Sequence, residues 1–317
     1  MKTIYISSPK RLKKFKNPVV AIGIFDGLHR GHQKLIKKAI ARAKAINGTS
    51  VVLTFFPHPV QVLNKQFDLS LLVSLNHRLR LIEAMGVDVC LVVRFTRAFA
   101  KTRAEDFVRK YLFTMIGAKE VFVGQNFHFG KNRNGNSIVL KSVAKKDQIK
   151  VHVLSPVCSK QNIISSSLLR ILVKSGKLSL ARKYLGRVVS IFGCVAHGDR
   201  RGRRLGVPTA NINSAEEILP PVGVYIVEVL WSGQALHGVA NIGYRPSFKK
   251  EKKRNIEVHI LDFKKNIYGA WIEVRFLKRI RDEKKFLTKD HLCAQIEHDQ
   301  KQAYQYFAKS KGPHPKR

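Results

Sequence analysis

The tightest constraint on this 317-residue chain is a change of hydrophobic period near Arg187. Before it, short apolar runs alternate with helix-period stripes. Pro18 to Phe25, Ser50 to Phe56, Val87 to Phe95, Glu120 to Val123 and Ile149 to Leu154 read as strands; Gly31 to Ile46, Leu75 to Met85 and Ala104 to Ile116 read as helices. Leu35, Ile36, Ala39, Ile40, Ala43 and Ile46 share one stripe. Asn47-Gly48 and Gly117 supply stops, and Ser74 an N-cap. Two short helices follow, Ser165 to Ser175 and Ser179 to Leu185, each opened by Ser and closed by Gly. Such alternation predicts a parallel sheet with helices on both faces. Beyond Arg187 the runs are short and β-rich: Val188 to Val195, Gly223 to Trp231, Leu236 to Ile242, Ile256 to Leu261 and Trp271 to Phe276. Gly, Pro and Asn turns separate them, which predicts an antiparallel barrel. A helix over Leu287 to Phe307 and a frayed tail, Lys309 to Arg317, complete the chain. The expected organisation is a Rossmann-like α/β domain over 1–186 and a small antiparallel β-barrel domain with a C-terminal helix over 187–317.

Hydrophobic residues at 44% and charged residues at 25% exclude wholesale disorder. The formal net charge of +38 favours anionic partners. The excess runs through both halves, and its densest stretches, Lys10 to Lys16 and Lys249 to Arg254, are brief and read as solvated faces. No aromatic ribonucleoprotein signature or zinc-finger spacing accompanies them, so no specific nucleic-acid partner is expected. Cys90, Cys158, Cys194 and Cys293 lie far apart with no C-x-x-C pair, suggesting neither a zinc site nor a disulfide framework. No signal-peptide pattern and no apolar run of roughly 20 residues is present, so a cytoplasmic location without membrane insertion is expected.

The strongest local signal is Gly23-Ile24-Phe25-Asp26-Gly27-Leu28-His29-Arg30-Gly31-His32, between the first strand and the first helix. Ligands bind outside strand carboxyl ends, and a helix start favours phosphate. Three residues apart, His29 and His32 can face one side, with Gly31 allowing close backbone approach. This segment resembles the G-x-F-D-x-x-H-x-G-H motif of the nucleotidyltransferase superfamily. Thr54-Phe55-Phe56-Pro57-His58-Pro59, Gly124-Gln125-Asn126-Phe127-His128-Phe129-Gly130 and Ile164-Ser165-Ser166-Ser167-Leu168-Leu169-Arg170 then resemble, in order, segments of the N-terminal module of bacterial FAD synthetases. The resemblance implies an adenylyltransferase domain in which His29, His32 and Arg170 position and neutralise phosphate. Gly23, Phe25, Asp26, Gly31, Pro57, His58, Ser165 and Ser166 would bind nucleotide, and Asn126 with the backbone around Phe127 and Phe129 would hold the flavin. The family commonly has Asp, Arg and Thr where Asn126, His128 and Ser167 stand.

In the second half, Gly198-Asp199-Arg200-Arg201-Gly202-Arg203-Arg204-Leu205-Gly206-Val207-Pro208-Thr209-Ala210-Asn211 resembles the ATP and magnesium loop of riboflavin kinases. The likeness implies nucleotide contacts at Gly198, Gly202 and Gly206 and Mg²⁺ ligation by Thr209 and Asn211. Asn255-Ile256-Glu257-Val258-His259-Ile260-Leu261-Asp262-Phe263 resembles the segment around that family's catalytic glutamate, with Glu257 as base. Strand alternation places Glu257, His259 and Leu261 on one face, where the carboxylate can point into the barrel mouth, and packs Val258 and Ile260 on the other. Arg281 to Phe286 resembles a flavin-side flap in which Arg281 touches flavin. The likeness is collinear from about Val19 to Phe286 and implies a bifunctional riboflavin kinase and FMN adenylyltransferase. Mg²⁺, ATP, ADP, pyrophosphate, riboflavin, FMN and FAD would be its small-molecule partners, and its state a monomer or weak homo-oligomer. Two rivals are a nucleotidyltransferase acting on pantetheine phosphate or a polyol phosphate, and a nucleic-acid-binding protein.

Overall fold

Residues 1–12, 14–64, 66, 69–159, 162–197, 206–214, 217–244 and 254–310 are described by the computed structural model. Contacts divide the chain into two units, Met1–Leu168 and Leu169–Arg317. In the first, β1 (Lys2–Ile6), β2 (Val19–Ile22), β3 (Ser50–Phe56), β4 (Val89–Arg94), β5 (Glu120–Gly124) and β6 (Lys150–Leu154) form one parallel sheet, in the order β1-β4-β3-β2-β5-β6. Successive side chains on a strand face opposite ways, so a sheet covered on both faces needs strands with no polar side. Thus Val20, Ile22, Leu53, Val121 and Val123 join one core with Phe107, Leu112 and Leu140. Val19, Ala21, Val52, Cys90 and Phe122 join another with Leu35, Ile36, Ala39 and Ala43 of α1 (Arg30–Ala45).

The remaining helices of this unit are α2 (Pro59–Leu63), α3 (Leu75–Glu83), α4 (Arg97–Ala100), α5 (Ala104–Phe107) and α6 (Ser137–Lys146). Ser74 Oγ caps α3 by accepting from His77 N–H at 3.3 Å. The helix expected over Ala104 to Ile116 is present, but from Val108 it widens into π-helical turns, closed at Gly117 with φ 68°. Among the elements not anticipated are β1 and α6. β1 is an edge strand of mixed polarity in the basic N-terminus, paired with β4. α6 is capped by Asn136, whose Oδ1 accepts from Ile138 and Val139 N–H. The run expected to be strand from Pro18 to Phe25 leaves the sheet at Ile22, because Phe25 sits at φ 54°.

Polar clips gather at the amino ends of these parallel strands. Glu120 opens β5 and accepts from Arg42 Nη2 at 2.7 Å and Nε at 2.8 Å, with His152 Nε2 at 2.6 Å. The Arg42 hydrogen bonds, supplemented by His152, hold the Glu120 carboxyl below its ordinary range. Asp88 likewise accepts from Ser50 N–H and Oγ at the start of β3.

The hairpin strands β7 (Cys158–Ser159) and β8 (Asn162–Ile163) precede α7 (Ser166–Lys174) and α8 (Leu178–Leu185). Lys177, not a serine, stands at the α8 cap and makes no side-chain capping bond. In the second unit, β9 (Ser190–Ala196), β10 (Ala210–Asn213), β11 (Gly223–Trp231), β12 (Gln234–Tyr244), β13 (Arg254–Ile260) and β14 (Trp271–Arg281) close an antiparallel barrel, ordered β10-β13-β12-β11-β14-β9. The C-terminal helix α9 (Lys289–Ser310) packs Ala303 and Phe307 on Ile226 and Leu261. Phe307 stacks on His237 with centroids 3.7 Å apart, and Asp299 receives the Arg281 guanidinium at 2.7–3.1 Å.

Candidate active sites

The strand order reverses between β2 and β5, whose neighbours β3 and β6 lie to opposite sides. Ligands of open parallel sheets bind at such a switch point, outside the carboxyl ends. The loop Gly23–His29 leaves β2 there and feeds α1. His29 is its N-cap: Nδ1 accepts from Gly31 N–H at 3.2 Å, so that nitrogen carries a lone pair and the ring's proton sits on Nε2. His32 stacks on His29 with centroids 3.7 Å apart, and Phe25 meets His32 edge-on at 5.3 Å. Burial, then His29 and Arg78, push the His32 imidazole well below its ordinary pKa, so it stands neutral. Its Nδ1 is sealed from solvent without a hydrogen-bond partner.

Close packing explains the glycines. A side chain at Gly23 would strike the Phe25 ring, and one at Gly27, where φ is +78°, would strike Leu72. Gly31 lies against the His29 ring. Asp26 is 2% exposed, and its carboxylate accepts from Leu72 and Val73 N–H at 3.0 and 3.2 Å. It braces the loop. Ser166 Oγ donates to the Asp26 carbonyl at 2.8 Å, and Ser165 Oγ caps α7 through Leu168 N–H. Arg170 is half-buried one turn into α7, past the division at Leu168. His58, at the end of β3, caps α2 through Nδ1, in the same manner as His29, and Pro57 precedes it half-buried.

After β5, Asn126 is exposed on the turn flanking the switch point. Phe129 is a core residue packed on Phe107 at 5.4 Å, and half-buried Phe127 stacks on it at 5.3 Å. These aromatics fix the turn through packing. Sequence reasoning missed Arg78, which is fully buried behind the loop. Its Nη1 donates to the Ile24 carbonyl at 2.8 Å and to the Phe55 carbonyl at 3.3 Å, tying the Gly23–His29 loop to β3.

The second cluster lies on the barrel. Ile256, Val258 and Ile260 are buried, which turns Asn255, Glu257 and His259 to the other face of β13. Glu257 pairs across the sheet with Asn211 on one side and Asn241 on the other. Asn255 Nδ2 donates to Asn211 Oδ1 at 2.9 Å and to Glu257 Oε1 at 3.1 Å. Asn255 was not among the expected site residues, although its position two before Glu257 on a strand places it on the same face. Leu261 departs from the expected alternation: β13 ends at Ile260, Asp262 turns at φ 54°, and Leu261 is buried against α9. His259 Nδ1–H donates to the Pro208 carbonyl at 2.8 Å, tethering the segment before Thr209. Thr209 is half-buried and Gly206 exposed with φ +75°; Gly198 and Gly202 and the arginines between them lie outside the described residues. The Arg281 guanidinium is engaged by Asp299 and by the Asp282 carbonyl.

A helix-opening loop with stacked imidazoles at a parallel-sheet switch point, followed by a barrel bearing a carboxylate among amides, defines a two-module nucleotide-dependent transferase. The family models agree: FAD synthetase matches residues 12–168 and riboflavin kinase residues 185–307. Proteins named bifunctional riboflavin kinase/FMN adenylyltransferase are similar along nearly their whole length. The one from Buchnera aphidicola subsp. Schizaphis graminum is 38% identical, covering 93% of this chain and 96% of that protein. The one from Bacillus subtilis is 37% identical, covering 97% and 99%. A crystal structure from Streptococcus pneumoniae, described as a macrolide-efflux protein, is 31% identical with a TM-score of 0.84, covering 96% of this chain and 99% of that one. That description names a different activity; among the described residues here no helix is long and apolar enough to cross a membrane.

The chain belongs to the bifunctional riboflavin kinase/FMN adenylyltransferase family. It is a transferase with both activities, with ATP, riboflavin, FMN and FAD as substrates and products.

Proposed function

We propose that the two reactions divide between modules 1–186 and 187–317, with Glu257 serving the kinase and His29 with His32 serving the adenylyltransferase. The observation that carries this division is that the stacked imidazoles and the Asn211–Asn255–Glu257 cluster belong to different compact units. In the barrel, the Glu257 carboxylate takes the proton of the riboflavin 5′-hydroxyl as that oxygen attacks the γ-phosphate of ATP, and ADP leaves. Thr209 and Asn211, two residues apart at the start of β10, offer only neutral oxygens. That donor set fits Mg²⁺, which binds through few protein oxygens plus substrate phosphates. When bound there, Mg²⁺ supplies charge neutralisation on the phosphates.

In the α/β module, the FMN phosphate attacks the α-phosphate of a second ATP and pyrophosphate leaves. The nucleophile is already anionic near neutral pH and needs no base. His29 presents an Nε2–H and His32 a neutral ring, so the pair stabilises phosphate by hydrogen bonding. Asn126 and its turn would hold the flavin.

Incubation with ATP, Mg²⁺ and either riboflavin or FMN, with chromatographic separation of FMN from FAD, tests the division. Glu257→Ala is expected to abolish FMN formation while supplied FMN still becomes FAD; His29→Ala with His32→Ala is expected to do the reverse. A folded variant that lost both activities would overturn the assignment.

A further inference from the structure

We infer that Asn255 is a positioning residue of the kinase reaction, its single amide nitrogen setting both the Glu257 carboxylate and the Asn211 amide. The inference rests on the roles proposed for Glu257 and Asn211 and goes beyond them, since Asn255 acts through those two side chains. Asn211 and Glu257 are direct cross-strand partners on β10 and β13, and Asn255, two residues before Glu257, is the diagonal neighbour of Asn211. A carboxamide nitrogen carries two protons. Asn255 Nδ2 directs them to Glu257 Oε1 at 3.1 Å and Asn211 Oδ1 at 2.9 Å. Both acceptors fix which end of the amide is nitrogen. Accepting this bond occupies one lone pair of Asn211 Oδ1, and the second bond holds the Glu257 carboxylate by its Oε1. One donor therefore couples the angle of the base to the angle of the phosphate-side amide.

Aspartate has the shape of asparagine and no amide protons, so Asn255→Asp separates donation from packing. Replacing its attraction by a like charge beside Glu257 makes Asp at least as damaging as Ala. Loss of an outer-shell partner of this kind typically costs about 10- to 100-fold in activity. Asn255→Asp and Asn255→Ala are each expected to lower kcat for riboflavin phosphorylation by about that factor, with KM for riboflavin unchanged and the Mg²⁺ requirement raised. Conversion of supplied FMN to FAD stays at the wild-type rate and reports that the chain is folded.

A merely structural side chain gives the opposite ranking, Asp close to wild type and Ala impaired; that ranking, or wild-type kcat in both, overturns the inference. If Asn255→Ala fails to fold, the isosteric Asn255→Asp decides alone. Glu257→Ala is measured in parallel. Persistent phosphorylation in that variant refutes Glu257 as the base, whereas its loss alongside an unimpaired Asn255→Asp refutes only the role of Asn255.

Discussion

Gly27 and His32 show how single residues hold the adenylyltransferase loop in one shape. At Gly27 the backbone is left-handed and Leu72 fills the space where a side chain would grow. Gly27→Ala is expected to cost about 1–2 kcal/mol for the left-handed conformation alone, more once Leu72 moves, and to depress FAD formation while sparing FMN formation. A thermal melt and the two product assays check it. His32 carries a pH signature. Its folded pKa lies well below the unfolded value of about 6.5, so below that value the unfolded chain binds a proton that the fold refuses. Stability is full above about pH 6.5 and falls as pH drops toward the folded pKa. His32→Asn should flatten that slope between about pH 6.5 and 5; a denaturation series in which wild type and variant keep the same slope would falsify it. The histidines and glycines of this loop were legible because type and spacing alone suggested them. The roles of Asp26 and Arg78 were not: which carboxylate braces Leu72, and which arginine is sealed behind β3, depends on residues distant in sequence.

Among elements, strands buried on both sides declared themselves. β3 and β11 lie within the limits read from their apolar runs, because burial there leaves a continuous hydrophobic signal. β10 was invisible: Ala-Asn-Ile-Asn is too short to show a period, and its neighbours β9 and β13 hold it. β1 was masked by flanking lysines. The C-terminal helix was expected, but not its fastening. Arg281, expected to touch flavin, also forks onto Asp299, and both side chains are shielded from water. Breaking a buried pair from one side leaves an uncompensated charge and costs roughly 3–5 kcal/mol. Asp299→Ala is therefore expected to loosen α9, seen as faster amide exchange over 289–310 and a lowered Tm. Unchanged exchange there would show that Phe307 on His237 suffices to hold the helix.

Over the whole molecule, the charge of +38 far exceeds what nucleotide sites require. Like charges repel within a folded chain, and salt screens them over about 10 Å at 0.1 M. Raising NaCl from about 10 to 200 mM, across which the screening length falls several-fold, is expected to raise the melting temperature. A fall would place the net electrostatic contribution with the attractive pairs instead. One further property belongs to the parallel sheet. Its carboxyl ends carry His29, His58 and Asn126, while its amino ends carry Arg42–Glu120–His152 and Ser50–Asp88. An engineer seeking a hardier enzyme can therefore redesign the amino rim of this sheet, shortening or recharging its clips, while leaving the switch-point rim that carries His29 and Asn126 untouched.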